Sequence, residues 1–171
     1  MSERNMRAGI ALGANLGDRL RSLTTARDRI FALPEAAAPF LSSAIYETEP
    51  VECEPGAERF LNAVVEIGYT GSSLRLLEAL QEIEANLGRP PAHPHHHSRT
   101  IDLDLLYHGA RQLDEPQLQL PHPRMGLRGF VLHPLAEIRP NLILPGETQT
   151  VGELSAELAP APSVVRSPLQ W

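Results

Sequence analysis

The chain contains no lysine: all fifteen of its basic residues are arginine. That excludes a catalytic lysine, a lysine Schiff base and the lysine of a P-loop. A GC-rich coding bias accounts for the same absence. Cysteine occurs once, at Cys53, so no internal disulfide can form. Glu52 and Glu54 flank it and disfavour a thiolate, which argues against a reactive role. No apolar run approaches the roughly 18 residues of a membrane span. The segment after Met1 to Arg7 is too short for a signal sequence, and the expected location is the cytoplasm. Positive charge is in deficit, with a net charge of −6, which argues against a general nucleic-acid binder. Neither a Walker A loop nor a Rossmann glycine fingerprint is present. What is there is 42% apolar and 21% charged, as in one globular domain spanning 1–171. Sixteen prolines and twelve glycines predict many ordered turns.

Arg7 to Ala14 reads as a first strand and Asn15 to Asp18 as a turn. Asp18 caps a helix reaching about Leu33, with Leu20, Leu23, Ile30 and Phe31 on one face. Pro39 to Tyr46 reads as a second strand and Glu47 to Glu58 as a loop. From Arg59 to Tyr69 the residues alternate: Leu61, Ala63, Val65 and Ile67 face one way, and Phe60, Asn62, Val64 and Glu66 the other. A second helix runs from Ser72 or Ser73 to Leu87, with Gly88 as its natural terminator. Residues 89–98 cannot be helix, and Thr100 to Tyr107 is the strongest strand. Short helices follow near Phe130 to Ile138 and near Val151 to Leu158. The order is β-α-β-β-α-β, which predicts an α/β (α+β) fold of ferredoxin-like type. A mainly antiparallel sheet with helices on one face, plus a C-terminal extension, is expected.

In the last of these strands Ile101, Leu103 and Leu105 face the core. Asp102 and Asp104 therefore share the other face, about 7 Å apart. Carboxylates so close repel unless a cation lies between them. Hard oxygen ligands on a strand suit Mg²⁺, which takes one or two carboxylates together with substrate phosphates. An ordinary polar strand face gives the same D-x-D, so the pair alone is a weak signal. Arg89, Arg99, Arg124 and Arg128 lie around it, and such cations could hold a nucleoside triphosphate in an acidic protein. Asn62 inside an apolar run needs hydrogen-bond partners. Phe60 and Phe130, taken alone, read as core.

Several segments in order resemble 6-hydroxymethyl-7,8-dihydropterin pyrophosphokinases. They are Ala11 to Asp18 (ALGANLGD), Tyr46 to Pro50 (YETEP), Phe60 to Ala63 (FLNA) and Glu84 to Arg89 (EANLGR). Ser98 to Leu106 (SRTIDLDLL) is the most specific, and Leu120 to Pro123 (LPHP) and Arg128 to Leu135 (RGFVLHPL) close the series. The resemblance implies transfer of pyrophosphate from ATP to a pterin hydroxymethyl group, with ATP as co-substrate and two Mg²⁺ ions held by Asp102 and Asp104. By the same resemblance Arg89 and Arg99 join the two aspartates as catalytic residues. The ATP site would use Gln81, Glu84, Arg89, Arg99, His122 and Arg128, with Leu105, Leu118 and Gln119 at adenine. The pterin would meet Thr48, Glu49, Pro50 and Val51, the amide of Asn62, and the rings of Phe60 and Phe130. ATP and a dihydropterin are the implied partners, without nucleic acid or membrane, and a monomer is implied.

The sequence departs from that pattern before Arg99. Pro91 and His95 stand where basic residues are common, and His96 and His97 replace a usual Trp and Gly. Pro123 takes the place of a common aromatic. Fewer arginines predict weaker ATP binding that improves as pH falls and the histidines gain charge. Two other functions fit parts of the sequence. One is a noncatalytic paralogue that binds a pterin or nucleotide. The other is a metal-binding protein using His93 and His95 to His97, although that run lacks regular ligand spacing.

Overall fold

Strand β1 (Met6–Ala14) and strand β4 (Phe60–Tyr69) form the centre of a six-stranded sheet. They pair antiparallel along their whole lengths, from Met6 opposite Tyr69 to Ala14 opposite Leu61. β5 (Asp102–His108) pairs with the other edge of β1, also antiparallel. β2 (Ala36–Ser42) and β3 (Tyr46–Thr48) share the outer edge of β4. β8 (Val165–Arg166) adds to β3, so the sheet reads β5-β1-β4-β3-β8 with β2 beside β4. This computed structural model describes residues 5–50, 54–88, 100–158 and 164–171.

Local chemistry sets the helix ends. Helix α1 (Arg19–Phe31) begins where the Asp18 carboxylate accepts the Arg21 N–H at 3.1 Å. Helix α2 (Ser73–Asn86) begins where the Ser72 hydroxyl accepts the Arg75 N–H at 3.2 Å. It ends before Gly88, whose φ of +95° favours glycine. Both helices pack on one sheet face. Leu23, Ile30, Leu76, Leu80 and Ile83 meet Ile10, Leu12, Leu61, Val65, Leu103 and Leu105 there. Each fully buried aliphatic side chain in that layer contributes about 1.5–3 kcal/mol. The order through β5 is β-α-β-β-β-α-β, the expected split β-α-β arrangement with its second strand broken into β2 and β3, and the pairings are antiparallel.

The C-terminal extension covers much of the opposite face. Helices α3 (Gly129–Ile138) and α4 (Val151–Glu157) bring Val131, Leu132, Leu135 and Val151 against Ala11, Val64, Leu106 and Tyr107. A hairpin of β6 (Leu113–Glu115) and β7 (Leu118–Leu120) precedes them, followed by a 3₁₀ turn at Met125–Leu127.

Two expectations need correction. The stretch Pro39 to Tyr46 is two strands rather than one. Ala38 and Pro39 bulge out between paired Ala37 and Phe40, consistent with proline lacking an N–H for the ladder. At the break the Ser43 hydroxyl takes the Val64 N–H at 3.0 Å in place of a backbone acceptor. Glu47 and Thr48, expected in a loop, are strand residues opposite Leu61 and Phe60.

Candidate active site

Sheet register assembles the polar residues. Gly13 lies opposite Asn62 on β4 and opposite Asp102 on β5. Residues in one transverse row share a face, so Asp102 and Asn62 flank Gly13 about 10 Å apart on the face away from α1 and α2. A Cβ at Gly13 would stand 3.1 Å from Asn62 Oδ1 and 3.8 Å from Phe60 Cδ1. Glycine thus keeps the floor between the two side chains open. In the sequence Gly13 lies near the end of the expected first strand and is not among the expected site residues. The informative signal is that it precedes Ala14-Asn15 at the end of the central strand, where a row of polar side chains needs clearance.

On the β3–β4 side, Asn62 is buried and its Nδ2 donates to Thr48 Oγ1 at 2.7 Å. That bond orients the amide, leaving Oδ1 toward Gly13. Phe60 is half-buried beside it. Glu49 is exposed and pairs with Arg59 at 2.6 Å, while Pro50 is half-buried. The following segment is tied to the first turn. Asn15, fully buried, donates to the Glu58 carbonyl at 3.1 Å, and Arg19 donates to the Arg59 carbonyl at 2.7 Å. Neither Asn15 nor Arg19 stood out as a site residue. A polar side chain at the mouth of a buried strand is the signal that could have found Asn15.

On the β5 side, Asp102 and Asp104 are both half-buried. Asp104 retains 33% side-chain exposure, and the Arg128 guanidinium lies 3.8 Å from it. Arg128 occupies the N-cap position of α3 without a side-chain capping bond, and its guanidinium sits 5.5 Å from the Phe130 ring centre, so Asp104, Arg128 and Phe130 are neighbours. The backbone N–H of His122 donates to the Leu106 carbonyl at 2.8 Å, fastening the preceding turn to β5. Burial, together with Arg128 and Arg124, holds the His122 imidazole below its ordinary value of 6.5, against the opposing pull of Asp102. Its Nδ1 accepts the Arg124 N–H at 3.2 Å, so the neutral ring carries its proton on Nε2.

Other residues of the expected ATP site are more spread. Glu84 reaches from α2 to accept the Leu103 N–H at 2.6 Å on the outer edge of β5. Gln81 is exposed on α2. Leu105 and Leu118 turn into the core beneath α1 and α2. Gln119 is exposed and donates to Asp114 at 2.8 Å. Val51, Cys53, Arg89, Pro91, Arg99 and the histidines at 93 and 95–97 lie outside the described residues. Among the described residues no group of three His, Cys, Asp or Glu side chains converges on one point. No helix among them is long and apolar enough to cross a membrane.

Comparison with known proteins identifies relatives of the chain. Residues 9–140 match the family model described as 7,8-dihydro-6-hydroxymethylpterin-pyrophosphokinase. The 2-amino-4-hydroxy-6-hydroxymethyldihydropteridine pyrophosphokinase of Bacillus subtilis is 45% identical over 133 residues, covering 77% of each chain. The Pseudomonas aeruginosa protein of the same name is 38% identical over 139 residues, 81% of this chain and 84% of that one. Among solved structures, an HPPK-DHPS in complex with substrates aligns with a TM-score of 0.68 at 14% identity. The Plasmodium falciparum HPPK-DHPS with pterin and p-hydroxybenzoate aligns at 0.69 and 15%. Both alignments cover 90% of this chain but only 43% of the longer one, and at that identity the likeness is one of fold.

Proposed function

This chain belongs to the 7,8-dihydro-6-hydroxymethylpterin-pyrophosphokinase family, and we propose that the open end of its second sheet face carries the reaction. The activity is transfer of pyrophosphate from ATP to the hydroxymethyl group of 6-hydroxymethyl-7,8-dihydropterin, a step of folate biosynthesis. The substrate hydroxyl oxygen bonds to the β-phosphorus, the bond from that phosphorus to the α-phosphate oxygen breaks, and AMP leaves. The observation that carries the assignment of residues is the row Asp102–Gly13–Asn62. It sets a carboxylate and an oriented amide on one face with open floor between them.

Asn62 reads the pterin. Its Oδ1 accepts from the ring, while Thr48 fixes the amide so that no binding energy is spent orienting it. Phe60 and Phe130 supply aromatic faces, and Thr48, Glu49, Pro50 and Val51 border the ring. For ATP, Arg128 and the Nε2–H of His122 donate to phosphate oxygens, with Arg89 and Arg99 adding charge. Gln81 and Glu84 line the nucleotide from α2. With Leu105 and Leu118 turned inward, the adenine contacts assigned to them are through the main chain, with Gln119 beside them.

The carboxylates of Asp102 and Asp104 fit magnesium, because the donors are oxygen only, share one strand face and keep access to solvent. Magnesium bound there supplies positive charge to the triphosphate and favours ionisation of the attacking hydroxyl. Arg128 is the residue that would then share the phosphate charge with the carboxylate site. The chain acts as one domain, 1–171, a monomer in the cytoplasm, and light scattering on a sizing column should return the 18.8 kDa of one chain.

Incubation with ATP, Mg²⁺ and the dihydropterin should release AMP in proportion to pterin consumed. Normal pterin binding without AMP would overturn the catalytic reading in favour of a noncatalytic binder.

A further inference from the structure

Residues 164–171 return to the sheet and lie along one short segment of it. Tyr46 pairs with Arg166 and Glu47 with Val165. The Ser167 N–H donates to the Ile45 carbonyl at 2.8 Å. The Trp171 indole N–H donates to the Ser43 carbonyl at 2.7 Å, and the Arg27 guanidinium sits 4.8 Å from the centre of its ring. Every one of these backbone contacts falls on residues 43–47. These eight residues also lie beyond the span 9–140 matched by the family model.

That segment leads directly into Thr48. Its inner edge pairs with β4, Tyr46 opposite Asn62 and Thr48 opposite Phe60. Its outer edge is closed by the returning tail. From the face, Glu137 on α3 accepts the Ala44 N–H at 3.0 Å and the Tyr46 O–H at 2.7 Å. β3 has only three residues, too few to hold its register alone against a neighbouring loop. Thr48 Oγ1 in turn sets the Asn62 amide.

We propose that residues 164–171 are a positioning element for the dihydropterin. By closing the outer edge of 43–47 they hold Thr48, and through Thr48 they hold the Asn62 amide in its reading orientation. Arg166, Ser167 and Trp171 touch no substrate in this account. The inference rests on the assignment of Thr48 and Asn62 to the pterin.

The test is a steady-state comparison of both substrates. A variant lacking residues 164–171 should raise the KM for dihydropterin ~10-fold, with the KM for ATP and kcat within ~2-fold of the parent. Trp171→Phe, which removes the indole donor and keeps a smaller aromatic ring, should move the same constant in the same direction by ~2-fold. Thr48→Val should raise it too. Combined with the deletion, its effect should fall well short of the sum, because both act through one hydroxyl. Should the deletion variant fail to fold by circular dichroism, Trp171→Phe and Ser167→Pro, which removes the donor to Ile45, decide the matter. The proposal is overturned if the two KM values rise together, if neither moves, or if the Thr48 and tail effects simply add. Asn62→Ala separates this from the underlying assignment. If Asn62→Ala leaves dihydropterin KM unchanged, the assignment itself fails. If it raises KM and the tail variants do not, only the tail inference fails.

Discussion

The second face of the sheet carries charge at both ends, and the two ends treat it differently. At one end Glu66 is fully buried on β4. Arg7 donates to it at 2.5 Å, Arg139 donates to both its oxygens at 2.8 and 2.6 Å, and the Tyr107 hydroxyl completes the set. Burial, with Glu66 alongside, pushes the Tyr107 phenol far above its ordinary range, so it stays a donor. At the other end Asp102 and Asp104 are half-buried, with the Arg128 guanidinium at 3.8 Å from Asp104. Glu66 and Asn62 are four residues apart on one strand, so the difference is not one of fold. A saturated charge cluster fastens Arg139, at the end of α3, to the sheet. The aspartate pair keeps partial exposure, on the part of the face where we propose that the substrates bind.

The contrast is broken most directly at Asp102. Asp102→Ala should lower kcat at least ~10³-fold by removing a carboxylate that works on transition-state charge. Its melting temperature should stay close to that of the parent, since Asp102 is half-buried on the sheet face away from the α1 and α2 core. AMP release and a thermal melt measure both, and retained turnover would remove Asp102 from the machinery.

Glu66→Ala should do the reverse. It leaves two guanidiniums and a phenol without their acceptor, a loss of about 3 kcal/mol once the partial exposure of Arg7 and Arg139 is allowed for. Urea denaturation reads that loss. The folded fraction should keep the parent's KM values, because Glu66 lies about 13 Å along β4 from Asn62. A change in dihydropterin KM without loss of stability would erase the distinction between the ends.

Within the open end the pterin side can be separated from the phosphate side. Asn62→Ala should raise the dihydropterin KM ~10- to 100-fold, the cost of losing paired polar recognition, and leave ATP binding nearly unchanged. Calorimetry with each ligand checks the separation.

Much of this arrangement is legible in the residues themselves, and the reasons are local. Period-two spacing puts Asp102 and Asp104 on one face of their strand, and Asn62 and Glu66 on one face of theirs. Asp18, Ser72 and Gly88 mark helix ends because caps and terminators act over one turn. What is not legible depends on distant pairing. Arg7 and Arg139 lie 59 and 73 residues from Glu66, and no spacing rule connects them. Gly13 matters only once β1 is in register with both neighbours. The tail strand β8 is two residues long, too short for alternation to show. The break at Ser43 follows from a side chain replacing a backbone partner, which looks like continuous strand in sequence.

The smallest expected effect compares histidines at the two ends. His122, near Asp102, and His108, at the far end of β5, are both held below the ordinary 6.5. For His108 the main cause is burial, helped by Arg111 and opposed by a bond to the Tyr69 carbonyl. The ring is fully buried, with Nδ1 2.9 Å from the Ser73 hydroxyl. Above about pH 6.5 folded and unfolded chains both hold it neutral, and it adds no slope. As pH falls through 6.5 the unfolded chain takes up a proton there and the folded chain does not, so stability declines. His108→Asn keeps a polar partner for Ser73 but does not titrate. Its melting temperature should start lower at pH 7.5 and fall less between pH 7.5 and 5.5 than the parent's, by a few degrees. Because His108 is about 20 Å along β5 from Asp102, the variant's KM for ATP should follow the parent's at every pH. An acid slope identical to the parent's would show that the buried imbalance lies elsewhere.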